Sequence, residues 1–225
     1  MVDITHAIEA CDISEVAYVI EMVKGDFPKG TIHIIAVDAK NRSNHPEIVV
    51  RTIEGQYFIS YNTGLLGMLG DEGESDIRWR GVYTDRHFTS IKGAFGPLAK
   101  TILTDGFKSL EKLPNHKIHS KTMQKPVITE KHITGNVMYF DQRGIAYTNI
   151  HKTEYDRFTG GKDAVIRLTR FETIKTLRKH LADSDPGSAG GFFNERGYLC
   201  VGIYHDDTRN MLGFKKGHVI IVENV

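Results

Sequence analysis

The sequence predicts an α/β domain followed by a small all-β domain. Three observations carry this. Helix-like and strand-like segments alternate from residue 12 to residue 103. From residue 136 onward, short β-branched segments recur with turn residues between them, and a helical period is lost. Between the two, residues 113–126 hold several lysines, two prolines and no acid. That stretch reads as a solvated linker rather than a basic patch for nucleic acid, which places domains at 1–112 and 127–225.

The elements follow in order. Val2 to Thr5 looks like a strand that begins at the first residue. Asp12 with Glu15 three positions on forms a helix-start pattern, and Ile13, Val16, Ala17, Ile20 and Val23 recur at helical spacing until Gly25. Thr31 to Val37 is β-branched and apolar on both faces, as a strand covered by helices on each side should be. Glu47–Thr52 and Gln56–Ser60 read as a hairpin around Glu54-Gly55, and Phe95–Leu103 as a helix with Pro97 in its first turn.

In the second half, Asn136–Phe140 and Ile145–Ile150 flank the turn Asp141-Gln142-Arg143-Gly144. Ala164–Thr169, Tyr198–Tyr204 and His218–Glu223 supply further strands. Their spacing suits a small β-barrel or a sandwich better than a second βαβ unit.

Composition narrows the function. With 225 residues, 29 basic against 28 acidic side chains and a net charge of +1, no global field favours a polyanion or an anionic membrane. No apolar run approaches the roughly 18 residues of a membrane span, and MVDITHAIEA lacks a signal-peptide pattern. Cys11 and Cys200 are too far apart in sequence for a redox pair or a zinc knuckle. The expectation is a reduced, cytoplasmic protein without nucleic-acid or membrane partners.

Familiar chemical motifs are few. There is no phosphate loop, GxGxxG or GxSxG. Gly187-Ser-Ala-Gly-Gly191 is either a flexible loop or an anion cradle, and the loop is favoured. His116 and His119 stand at HxxH spacing without an acidic or cysteine partner, so no metal site is expected. Asp38 closes the Thr31–Val37 strand, where α/β sheets place ligand-contacting groups, with Lys40, Asn41, Arg42 and His45 following. On spacing alone it is a turn residue before it is a base that polarises water.

Several segments together resemble the S-adenosylmethionine hydroxide adenosyltransferase family, which includes the fluorinases and chlorinases. Val2-Asp-Ile-Thr-His6 resembles its VDISH segment, and Phe27-Pro-Lys-Gly-Thr-Ile-His-Ile-Ile-Ala-Val-Asp38 its FPxGTVHVxVVD. Tyr57 to Leu66 is similar to FVxPDNGLL. Gly135–Asp141 with Gly144–Ile150 is similar to GxVxxxDxFGNxxTNI. Asn194–Leu199, Leu212-Gly213 and Gly217 resemble NSxGxLEIA and LGLxxGD. The matches are individually short, but they are collinear over nearly the whole chain.

The resemblance implies a Rossmann-like N-terminal sheet and a C-terminal β-barrel. The family's leading TDFG-type strand, whose aspartate holds the ribose hydroxyls, has no counterpart here, so the first strand of that sheet is expected to be missing. It also implies a homotrimer with sites at subunit interfaces. The implied reaction is attack of water or halide on C5′ of S-adenosylmethionine, with no cofactor beyond that substrate and no metal.

Carried over residue by residue, Asp38 matches the aspartate of the hydrolytic members, which points to water rather than halide. His45 stands where the family has an arginine, with Arg42 close by. Ser90 stands where it has a histidine, with His87 near in sequence. Asp141 matches the carboxylate that contacts the methionine amine. Arg143 replaces the phenylalanine that stacks on adenine, and Ile145 the asparagine at the adenine edge. Tyr61, Asn62 and Thr63 replace Pro, Asp and Asn of PDNG, and Ser60 precedes them where fluorinases build their halide pocket. Asn194 is retained, while Glu195 replaces a serine near the methionine carboxylate. The implied activity is hydrolysis of S-adenosylmethionine to adenosine and methionine. The alternative is a catalytically decayed nucleoside-binding, S-adenosylmethionine-binding or structural protein on the same scaffold.

Overall fold

The computed structural model describes residues 1–37, 46–69, 76–79, 91–112, 119 and 121–225, with backbone alone at 76–79, 91, 92 and 112. The chain divides into two compact units, Met1–Met123 and Gln124–Val225. That division falls inside the lysine-rich segment.

In the first unit, helix α1 (Ile13–Val23) starts where its cap is: the Asp12 carboxylate accepts the N–H of Glu15 at 2.9 Å. A single 3₁₀ turn (Lys24–Asp26) follows. Strand β1 (Ile32–Ile34) pairs parallel with β3 (Tyr57–Tyr61), and β2 (Glu47–Arg51) is antiparallel to β3. The β2–β3 hairpin turns at Gly55, whose φ of +80° favours glycine. Strands β4 (Asp76–Trp79) and β5 (Glu111–Lys112) complete a mixed five-stranded sheet in the order β1-β3-β2-β4-β5.

Alternate residues of β2 and β3 go to opposite faces. Ile48, Val50 and Phe58 pack against α1 and against α2 (Leu65–Leu69). Val49, Ile59 and Tyr61 pack against α3 (Ile91–Thr104). The sheet is therefore covered by helices on both sides, which explains strands that are apolar throughout.

Three sequence expectations change here. Val2–Thr5 carries no regular structure, and Val2 and Ile4 are exposed. The Thr31–Val37 strand is shorter, with Ile34 half exposed, and among the described residues β1 is an end strand of the sheet. Helix α3 begins four residues ahead of Phe95, which puts Pro97 in its interior. Gly96, the residue before the proline, has no Cβ to meet its ring.

One buried polar residue links strand and helix. His33 stacks on Phe58 with ring centroids 4.5 Å apart, and its Nε2 lies 3.2 Å from Gln56 Oε1. The Gln56 amide donates to the carbonyls of Lys24 and Phe27 at 2.9 and 2.6 Å, tying the exit of α1 to β3. Burial holds the His33 pKa below its ordinary value, against the opposing effect of the Gln56 bond.

In the second unit, β6 (Val127–Ile128) and β7 (His132–Phe140) lead into β8 (Ala146–His151). Then come α4 (Lys152–Thr159), β9 (Ala164–Arg167), β10 (Thr173–Ile174), β11 (Ala189–Phe193), β12 (Tyr198–Ile203), α5 (Thr208–Leu212) and β13 (Val219–Asn224). The strands form one antiparallel sheet in the order β10-β9-β13-β7-β8-β12-β11, with β6 beside β7. A bridge between Leu177 and Gly191 nearly joins the two ends, so this is a barrel and not a sandwich. Ile133, Ile150, Ile166, Leu199, Val201 and Val222 fill it.

Helix α4 is absent from the sequence expectation because it is short and mostly polar, with only Tyr155 and Phe158 packed on the barrel core. His151 and Glu154 start it with a capping box. The glycine-rich run is a turn at Gly187 that passes into β11, instead of a loop throughout.

Candidate functional site

The β7–β8 turn is built by Asp141. Its Oδ1 accepts the N–H groups of Arg143 and Ile145, both at 2.9 Å, while the backbone closes with Gly144 N–H to Asp141 O at 3.0 Å. An aspartate suits this place because its short carboxylate reaches backbone donors two and four residues on. The Arg143 Nε stands 3.5 Å from the other oxygen, Oδ2, and its side chain is largely exposed. Asp141 is thus a partly buried carboxylate with one oxygen committed to the turn and the other turned to a cation.

A second charged pair lies against this turn. Asp207 caps α5, accepting the N–H of Arg209 at 2.8 Å, and the Arg209 guanidinium returns to it at 2.8 Å. That hydrogen bond first, then the backbone donors, hold the Asp207 carboxyl below the usual range. Arg209 also lies over the Phe140 ring, 5.7 Å from its centroid. Neither Asp207 nor Arg209 was a candidate on sequence. An Asp before Thr208 and a Gly at 213 are start and stop signals of a short helix, and they could have drawn attention there.

Asn194 repeats the Asp141 device at the β11–β12 turn. Its Oδ1 accepts the N–H groups of Arg196 and Tyr198 at 3.0 and 2.9 Å. The two turns read Asp-Gln-Arg-Gly-Ile and Asn-Glu-Arg-Gly-Tyr, the same pattern of an Asx residue with donors at two and four residues on. Glu195 is exposed on the second turn.

The two turns stand at different levels of one sheet. Asp141 pairs with Ile145, which precedes the Val201–Ala146 pair, whereas Asn194 pairs with Tyr198. The interval along β12 is four residues, on the order of 13 Å. Tyr147 and Cys200 face each other between them. Burial, then the neighbouring Cys200 and Asp141, push the Tyr147 phenol up to about 12.

Ser60 and Asn62 belong to the first unit and are buried. Asn62 follows β3, and its side-chain oxygen accepts the His119 N–H at 3.0 Å. Asp38, Arg42, His45, His87, Ser90 and His116 lie outside the described residues. Ile145 is buried and abuts Gly202. Among the described residues no group of three or more His, Cys, Asp or Glu side chains is placed to hold a metal ion, and no helix is long and apolar enough to cross a membrane.

A helix-covered mixed sheet with a separate small barrel, whose hairpin turns present fixed polar groups, defines a two-domain α/β-plus-barrel protein. Residues 1–104 match the SAM hydroxide adenosyltransferase N-terminal domain and residues 135–221 its C-terminal domain. The chain belongs to the SAM hydroxide adenosyltransferase family, whose small-molecule substrate is S-adenosylmethionine. No curated protein matches the chain. The fold is shared with an uncharacterized conserved protein from Thermotoga maritima, at 24% identity and a TM-score of 0.85 over 99% of this chain and 88% of that one. A conserved hypothetical protein from Thermus thermophilus is also similar, at 18% identity and a TM-score of 0.72, over 100% of this chain and 86% of that one.

Proposed function

We propose that the protein hydrolyses S-adenosylmethionine to adenosine and methionine. The observation that supports this most directly is the Asp141 carboxylate. Two backbone N–H groups fix one oxygen before any ligand arrives, and the other oxygen, Oδ2, which faces the exposed Arg143 side chain at 3.5 Å, can also accept from a substrate ammonium. Membership of the family supplies the substrate.

In the proposed reaction water attacks C5′ of the ribose. The C5′–S bond breaks, its electron pair passes to the sulfonium sulfur, and the water gives up a proton. Asp38 orients the water and takes the proton, with His45 beside it where the family has an arginine. The sulfonium is already a good leaving group, so the step calls for no metal and no further cofactor. Arg143 stacks on the adenine, Asp141 holds the methionine amine, and Ser60, Asn62, Asn194 and Glu195 line the rest. The reading carries with it a cytoplasmic homotrimer with sites between subunits.

Incubation with S-adenosylmethionine followed by chromatography tests it. Adenosine and methionine should accumulate together, and Asp38→Ala should abolish both while leaving the fold intact. No adenosine above a protein-free control would sink the hydrolase reading.

A second reading, binding of a nucleoside or S-adenosylmethionine without turnover, is favoured by Ile145. Its buried aliphatic side chain offers no hydrogen bond to an adenine edge. Calorimetry with adenosine separates the two: heat of binding without product formation would support this reading.

A further inference from the structure

The barrel has an open seam away from those turns. Strands β10 and β11 end the sheet order, and they meet through the Leu177–Gly191 bridge, where the Arg178 N–H donates to Gly191 O at 2.8 Å. Beside that bridge the seam forms a cleft of about 260 Å³, just below the range of pockets that hold drug-sized ligands.

Its lining is rich in hydrogen-bond donors. Lys175 and Arg178 border it, and neither has a carboxylate partner among the described residues. Ser184 also lines it; that residue is only 8% exposed, and its hydroxyl has no hydrogen-bond partner among the described residues. Gly190 leaves the room this hydroxyl occupies, since a Cβ there would overlap Ser184 Oγ. The β11 ladder adds a backbone donor. Ser188 and Asn194 bond to β12, so the even-numbered residues face that strand, and Ala189 turns its N–H to the seam. Asp185 is the one carboxylate on the described lining, against two cations.

We propose that this seam binds a tetrahedral oxyanion, either inorganic phosphate or the phosphoryl group of a small phosphomonoester. A guanidinium fork, an ammonium and a strand N–H are donors such a group takes, and glycines let the backbone approach it closely. The glycine-rich run from Gly187 to Gly191 is then one wall of an anion site. Asp185 weakens binding, and so makes a sensitive control. The inference is independent of the S-adenosylmethionine reading.

Backbone amide NMR of the full chain tests it, with phosphate titrated at constant ionic strength against chloride. Phosphate should shift the Ser184, Ala189 and Gly190 amides saturably, with half-saturation on the order of 1 mM or below, and chloride should not. Arg178→Gln keeps its main-chain bond to Gly191 and should weaken binding roughly tenfold; Asp185→Asn should tighten it. If Arg178→Gln melts early, Lys175→Gln is the substitute and should weaken binding likewise. Glycerol phosphate in place of phosphate separates the sources: tighter binding assigns an organic tail, equal binding the free anion. No saturable shift at these amides, or an affinity unchanged in both the cation and the Asp185 variants, would overturn the proposal.

Discussion

A Cβ on Gly144 would overlap the carboxylate of Asp207, so the β7–β8 turn meets the start of α5 only because residue 144 is glycine. Its φ of +76° disfavours a side chain for a second reason. Gly144→Ala should therefore cost about 1–3 kcal/mol of stability. A urea melt checks this, and wild-type stability would mean that α5 moves aside freely.

Asp141 has two separable roles. Asn at 141 retains an oxygen for the Arg143 and Ile145 N–H groups, as Asn194 does in its own turn. Asp141→Asn should hold stability within about 0.5 kcal/mol while weakening S-adenosylmethionine binding at least about tenfold. Asp141→Ala should lose both. Equal affinity in wild type and Asp141→Asn would remove the carboxylate from the ligand site.

His33 makes stability depend on pH. Its folded pKa lies below the usual value because it is buried, so the native state keeps it neutral where the unfolded chain takes a proton. The unfolded state then binds more protons, and stability rises with pH. The contribution is complete above about pH 6.5 and is lost as pH falls through and below it, with a slope of at most about 1.4 kcal/mol per pH unit. His33→Leu should flatten that slope in urea melts across the range from about pH 5 to about pH 7. An unaltered slope would place the dependence on another group.

The two cysteines should differ in reactivity. Cys11 is exposed, whereas Cys200 is buried and its thiol is pushed up by desolvation. An alkylating reagent should modify Cys11 in the native protein and Cys200 only after unfolding, a difference that mass spectrometry reads directly. Rapid native labelling of Cys200 would show the barrel to open readily.

Capping gives a local test of α1. Asp12→Ala removes the acceptor for the Glu15 N–H and should cost about 1 kcal/mol, measurable by chemical denaturation.

The elements legible in the sequence are those whose signals are local. The Asp12 cap with its apolar period, the Gly55 turn and the flanks of Asp141 need only neighbours a few residues away. Elements whose identity depends on distant partners are not legible in that way. Pro97 sits inside α3 because the packing of Ala94 and Leu98 against the sheet extends the helix. Helix α4 offers only Tyr155 and Phe158 as an apolar side, two residues too few to mark a helical period, and β11 hides in a run of glycines.

An α/β domain ahead of a small all-β domain, and the ordered motifs that identify the family, can be read from the chain of residues alone. Strand periodicity and turn residues act within a short stretch, so they are written there. The motifs imply a barrel for the second domain, but how it closes comes from the folded molecule, where Leu177 meets Gly191 across the sheet ends. So does the four-residue interval along β12 between the Asp141 and Asn194 turns, and the approach of Asp207 to Gly144. Register and overlap are relations between segments far apart in sequence, and no single segment carries them.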